Sequence, residues 1–322
     1  MTQAALEVEG LTVEIHTRHG AAPVVSDVSF AIAPGEVLGV VGESGAGKSV
    51  AGTAVLGLLQ PPARMVAGQI RLAGQRIDTL PEHDMRALRG RRIGAVFQDP
   101  LTSLNPLLTV GHHLVQMITT HLPVSRSDAA RRAERLLAEV GIPAPRARMA
   151  SYPHQLSGGM RQRVVLALAF ACEPRLVIAD EPTTALDVSV QAQVIGVLKR
   201  MCAAHGTAVL LITHDMGVIA EAADQEAVLY AGRIVETGPT AEVLTAATHP
   251  YTRGLIACIP DMRPSDADLP QIDGSMPRPG ALPSGCSFHP RCDRCIARCM
   301  TERPELAAAG AGAAACWVTT HG

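Results

Sequence analysis

Residues 42–49 read Gly-Glu-Ser-Gly-Ala-Gly-Lys-Ser and stand between an apolar run, Val37 to Val41, and a helix-forming run, Val50 to Leu59. The octet fits G-x-x-x-x-G-K-[ST], and its flanks make it strand, loop and helix, an α/β arrangement of the phosphate-loop type. Gly42, Gly45 and Gly47 let the backbone wind closely around a phosphate chain, so that successive N–H groups and a helix N-terminus face the anion. Ser44 and Val50 belong to the same nucleotide-binding stretch. Lys48 reaches the β and γ phosphates, and the Ser49 hydroxyl is placed to ligand Mg²⁺. The chain has only two lysines, Lys48 and Lys199, among 28 lysine and arginine residues. One of them holds the position that needs a compact point charge rather than a planar fork.

A second stretch, Leu176-Val177-Ile178-Ala179-Asp180-Glu181, reads as a buried parallel strand whose C-terminal end opens on a ligand crevice. Asp180 is positioned to hold Mg²⁺, directly or through water. Glu181 then orients and polarises the attacking water, the general-base role that phosphoryl transfer to water requires.

Leu156-Ser157-Gly158-Gly159-Met160-Arg161-Gln162-Arg163 resembles the signature of the ATP-binding-cassette ATPases, and it precedes the Asp-Glu strand as it does in that family. Ser157 and the glycine N–H groups start a helix and offer an anion site. The resemblance implies that Ser157, Gly158 and Gly159 serve the γ-phosphate of ATP held by a different subunit, so that two cassettes sandwich two nucleotides. It also implies that Gln98 senses Mg²⁺ and the γ-phosphate and links the core to a helical subdomain. Asp187, in Ala185-Leu186-Asp187, resembles the acidic member of the loop through which two cassettes touch. His214, after the apolar run Val209 to Thr213, resembles the histidine that steadies the γ-phosphate. The family usually stacks an aromatic on adenine ahead of the glycine octet. Ile15 and His16 stand there instead, which points to an aliphatic or imidazole contact.

The stretch from Gln98 to Pro106 is similar to the segment after the glutamine in peptide and nickel importers. So are Tyr152-Pro153-His154-Gln155, Asp187 to Gln193 and His249-Pro250-Tyr251-Thr252. The chain therefore resembles the ATP-binding subunit of the dipeptide, oligopeptide and nickel importers. The resemblance implies ATP hydrolysis that drives import of di- or oligopeptides, with nickel or glutathione-like solutes as alternatives. It implies two transmembrane permeases, a second homologous ATPase subunit and an extracytoplasmic solute-binding protein, with this chain at the cytoplasmic face of the inner membrane, held there through the permeases. The second ATPase is expected to be a different chain, and a homodimer is the other arrangement. A DNA-repair or chromosome-structure ATPase would place a long coiled coil between octet and signature, yet only 107 residues separate Lys48 from Leu156.

The formal net charge is −2 and the basic residues are dispersed, which leaves no footprint for nucleic acid. The longest apolar stretch, Val164 to Cys172, is short of the ~20 residues that span a bilayer. The N-terminal residues carry neither a basic region nor an apolar one of the secretory kind. Residues 6–36 and 64–77 alternate apolar and polar residues as an antiparallel edge sheet does. Short apolar runs around 37–41, 92–97, 176–179, 208–213 and 227–230 are of the buried parallel type. We expect a cassette over 1–255, its helical subdomain at about 100–165, and a C-terminal extension over 256–322, entered through a Pro-rich arm from Pro260 to Pro283.

Five of the eight cysteines, Cys286, Cys292, Cys295, Cys299 and Cys316, lie in that extension. Clustered thiols in a cytosolic chain point to metal rather than disulfides, and thiolates suit Zn²⁺ or an iron–sulfur centre. Cys286, Cys292, Cys299 and Cys316 resemble the C-terminal motif of peptide-importer ATPases, some of which carry a [4Fe–4S] cluster. Cys295 is then the spare, able to substitute for a neighbour, and zinc or no metal are the alternatives. Cys172, Cys202 and Cys258 read as small core residues.

Overall fold

The computed structural model describes residues 3–18, 20–184, 186–259 and 271–320, with Pro100 and Leu101 described by backbone alone. Ala185 and the first part of the Pro-rich arm, residues 260–270, lie outside the described residues. The chain forms two compact units. One comprises Met1–Glu7, Ala31–Val37 and Arg71–Leu211, and the other Val8–Phe30, Leu38–Ile70 and Ile212–Gly322.

The Val37–Val41 strand, in the second unit from Leu38 onward, is buried along its length, as a run without polar residues is when both faces are covered. It pairs in parallel with Gln225–Tyr230, from Leu38 against Gln225 to Val41 against Val228. Arg233–Pro239 continues the sheet antiparallel, with a register shift between Ile234 and Glu236. Two further strands, Gly312–Ala314 and then Ala307–Ala309, extend it beyond Arg233–Pro239. The C-terminal residues therefore build two sheet strands, which alanine-rich sequence with low β-propensity did not announce. In the separate sheet, Leu6–Thr17 lies between Gly20–Ile32 and Ala63–Leu72, and Leu6, Val8, Leu11 and Val13 of the first strand point inward.

The first unit carries the order Ala208–Thr213, Leu176–Asp180, Ile93–Val96. Ile93 to Val96 run parallel to Leu176 to Ala179. Helices Val110–His121, Arg126–Glu139, Gly158–Phe170 and Val188–His205 supply the helical layer. Each of the first three opens on a hydroxyl that accepts a first-turn N–H. Thr109 takes that of His112, Ser125 that of Asp128, and Ser157 that of Met160. Cys172 and Cys202 are buried as read, whereas Cys258, at the C-terminal end of the Pro250–Ala257 helix, is half-buried rather than core. Among the described residues no helix is long and apolar enough to cross a membrane.

Candidate functional site

The loop after Val41 has the shape its glycines promised. Gly42 and Gly47 take φ of +152° and +100°, and a Cβ built on them would lie 2.2 Å from the Leu229 carbonyl oxygen and 2.8 Å from that of Val24. Neither a side chain nor ordinary L-residue dihedrals fit there. Gly47 precedes the Lys48–Val55 helix in a left-handed conformation with no side-chain cap. Lys48 is buried, and its ammonium donates to the Gly42 and Glu43 carbonyls at 2.6 and 3.0 Å. Ser44, Gly45 and Ser49 are exposed along the same loop, and Val50 is half-buried behind them. His16 is exposed and pairs with Glu14 at 3.3 Å, beside a half-buried Ile15.

Glu43 is held on both its backbone and its side chain. Its N–H donates to the Tyr251 hydroxyl at 2.8 Å, and both carboxylate oxygens accept from Arg291 Nη1 at 3.1 Å. The sequence reading did not single out Glu43 or Arg291. The available signals were the quoted His249 to Thr252 stretch and an arginine directly before Cys292.

In the other unit, Asp180 is half-buried at the end of the Leu176–Asp180 strand and Glu181 follows it at φ +48°. That left-handed backbone costs a non-glycine residue about 1 kcal/mol or more and re-aims the side chain. One Glu181 carboxylate oxygen accepts from Gln98 Nε2 at 3.1 Å and from the Thr184 hydroxyl at 2.9 Å. Gln98, named from the sequence, is thus brought onto Glu181, and Thr184 is an addition. Ser157 is exposed as the cap of a helix whose first turn holds Gly158 and Gly159. Asp187 precedes the Val188–His205 helix without its side chain capping it, and Ala185, read with it, is outside the described residues. His214 is exposed after the Ala208–Thr213 strand, while its neighbour Asp215 caps the Met216–Ala222 helix through Gly217 and Val218.

Among the described residues no group of three or more His, Cys, Asp or Glu side chains is close enough to hold a single metal ion. The cysteines nevertheless sense one another. Burial pushes the Cys286 thiol up, and Cys299 and Cys316 add to it, while the N–H groups of Phe288 and His289 pull it down. Burial carries Cys292 to about 11, with Cys286 and Cys316 among the smaller causes. Burial also pushes the Cys295 thiol up, with the charge of Cys299 and a side-chain hydrogen bond to it adding to the rise, and that thiol donates to the Ile296 carbonyl at 3.6 Å. The Cys286 N–H donates to the Cys299 carbonyl at 2.8 Å, which ties the two ends of the segment.

Residues 25–184 match the family described as ABC transporter, and residues 235–299 match the oligopeptide/dipeptide transporter C-terminal region. The chain is 42% identical to the oligopeptide transport ATP-binding protein AppD of Bacillus subtilis over 302 residues, 94% of this chain and 92% of that protein. It is 43% identical to the dipeptide transport ATP-binding protein DppD of Escherichia coli over 303 residues, 94% and 93% of the two chains. Among solved structures it is similar to the dimeric post-hydrolysis state of the ATP-binding cassette MJ0796 bound to ADP and phosphate, with TM-score 0.65, 25% identity and coverage of 73% and 98%. It is also similar to cbiO1 of Clostridium perfringens, part of the transporter complex cbiONQ, with TM-score 0.65, 26% identity and coverage of 76% and 92%.

Proposed function

We propose a division of labour among these residues from the premise that the chain belongs to the ABC transporter ATP-binding proteins of the oligopeptide and dipeptide type and is the ATP-hydrolysing subunit of a peptide importer. The observation that carries it is the loop after Val41, with backbone wound too tightly for a Cβ at Gly42 and Gly47 and with Lys48 laid across the loop carbonyls. Gly42 opens the loop, and the backbone N–H groups of Ser44, Gly45 and Gly47 through Val50 face the phosphates of ATP, while that of Glu43 stays on the Tyr251 hydroxyl. Lys48 exchanges its carbonyl contacts for the β and γ phosphates. Ser49, Gln98 and Asp180 offer hydroxyl, amide and carboxylate oxygens, the donor set a hard cation such as Mg²⁺ takes. When bound, Mg²⁺ neutralises developing charge on the phosphates.

Glu181 accepts a proton from the attacking water, and Gln98 and Thr184 orient it for that task. His214 steadies the γ-phosphate. Ser157, Gly158 and Gly159 act on nucleotide held by a second subunit, and Asp187 lies at the contact between the two. The cassette runs to about residue 255 and the extension follows it. The subunit works at the cytoplasmic face of the inner membrane with two permeases, a second and different ATPase chain, and an extracytoplasmic solute-binding protein. Support comes from the Gln98 to Pro106 stretch and from the match of residues 235–299.

The test is hydrolysis by the chain assembled with its permeases. Glu181→Gln is expected to lower turnover at least ~100-fold, the scale of a lost general base, while ATP still binds and holds a dimer. An inactive assembled wild type, or a variant of undiminished rate, overturns the assignment.

Cys286, Cys292, Cys299 and Cys316 are the set assigned to a [4Fe–4S] cluster and Cys295 is the spare, on their resemblance in spacing to the C-terminal motif of peptide-importer ATPases and on the backbone bond that ties Cys286 to Cys299. A cluster is wider than a single ion, so its thiols need not converge as zinc ligands do. When bound, such a group would supply a redox-sensitive link between these four positions. Iron and acid-labile sulfide in the anaerobically purified chain should fall with each of the four replaced singly and persist in Cys295→Ser. Zinc alone, or no metal, excludes the cluster.

A further inference from the structure

Arg291 reaches the phosphate loop from a segment 248 residues further along the chain. Its side chain is only 6% exposed, against 29% for Glu43. Before it meets Glu43 it is already fixed. Nε donates to the Asp273 carbonyl at 2.7 Å and Nη2 to the Ile272 carbonyl at 3.2 Å. The guanidinium carbon stands 5.8 and 5.9 Å from the ring centres of Tyr230 and Phe288. Phe288 in turn packs edge-on against Tyr230, and its ring centre is 5.4 Å from that of Tyr251. A guanidinium held this way loses little freedom on taking a carboxylate.

The chemistry of the loop gives the pair a purpose. Glu43 places a carboxylate within a loop whose glycines and Lys48 are arranged for a polyanion. Left unpaired, that carboxylate repels phosphate, and partial burial weakens the solvent screening that would soften the repulsion. We propose that Arg291 is a positioning residue for the phosphate loop, neutralising Glu43 and pinning the first turn of the loop, so that the cysteine-bearing segment completes the nucleotide site. Tyr251 holds the same residue from its backbone side. The inference rests on the reading of residues 42–49 as the ATP site.

Isothermal titration of the full-length chain with Mg·ATP separates the two ideas. Arg291→Met should raise Kd about tenfold, the factor expected for one strongly felt charge, and Arg291→Lys should fall between it and wild type. Glu43→Gln placed in the Arg291→Met chain should bring Kd back to within about twofold of wild type, because the offending charge has gone. A merely structural role for Arg291 predicts no such recovery. Wild-type affinity in Arg291→Met, or a double variant as weak as the single, overturns the proposal. Should Arg291→Met not fold, Arg291→Gln with and without Glu43→Gln makes the same comparison, with the same recovery expected. Equal ATP binding by wild type and Lys48→Ala would instead defeat the loop reading itself.

Discussion

Glu226 is fully buried in the Gln225–Tyr230 strand, and neither of its carboxylate oxygens has a hydrogen-bond partner among the described residues. Burial, and secondarily the charge of Glu236, raise its pKa from 4.5 to about 8, so the carboxyl is neutral in the folded chain at pH 7. Glu236 accepts from the Thr248 and His249 N–H groups at 2.6 and 2.9 Å. The folded state thus binds a proton that the unfolded state releases. The stability this confers is complete below pH 4.5 and is lost as pH rises to about 8. Glu226→Gln keeps the neutral shape and removes the titration. Its unfolding midpoint should be flatter than that of wild type across this window, measured by thermal denaturation at stepped pH. Parallel profiles for the two chains would show that Glu226 titrates normally. Its place was invisible beforehand, since a single glutamate in an apolar run reads as a strand end, not as a buried acid.

At the scale of elements, the Gly312–Ala314 strand decides how the C-terminal segment joins the sheet. It pairs Ala314 with Glu236 and Ala313 with Thr237, and a Cβ at Gly312 would stand 2.0 Å from the Thr237 carbonyl oxygen. The clash is with backbone, so no rotamer relieves it. Gly312→Val should therefore cost on the order of 2 kcal/mol or more and lower the melting temperature, whereas an unchanged melting curve would mean that the strand is dispensable. The helices behave more simply, because Thr109, Ser125 and Ser157 each stop the chain at a cap that is local in sequence. The signature serine is accordingly a helix cap as well as a candidate ligand, and these two uses draw on the same N–H geometry.

For the molecule as a whole, what could be read in advance was what the chain encodes locally. Apolar runs ending in glycine or paired carboxylates announced Val37–Val41 and Leu176–Asp180, and the glycine octet announced its own winding. Gln98 was named by resemblance, and its contact with Glu181 bridges 83 positions. The two alanine-rich strands, Thr184 and the Glu43–Arg291 pair were not legible. Each depends on partners brought together by the fold, not on periodicity. Tyr230, Tyr251 and Phe288 show the same thing in a different way. The chain is sparing with Phe, Tyr and Trp, yet it spends three of them in one cluster against Arg291.

The separation of Glu43 from Arg291 also sets a schedule. A ribosome adding about 5–20 residues per second needs on the order of tens of seconds to travel from one to the other. For all of that interval the nascent loop already has its glycines and Lys48, but the carboxylate beside them faces water alone. Fragments released by a ribosome that stalls before residue 291 keep that unfinished loop, since the guanidinium has not yet been made.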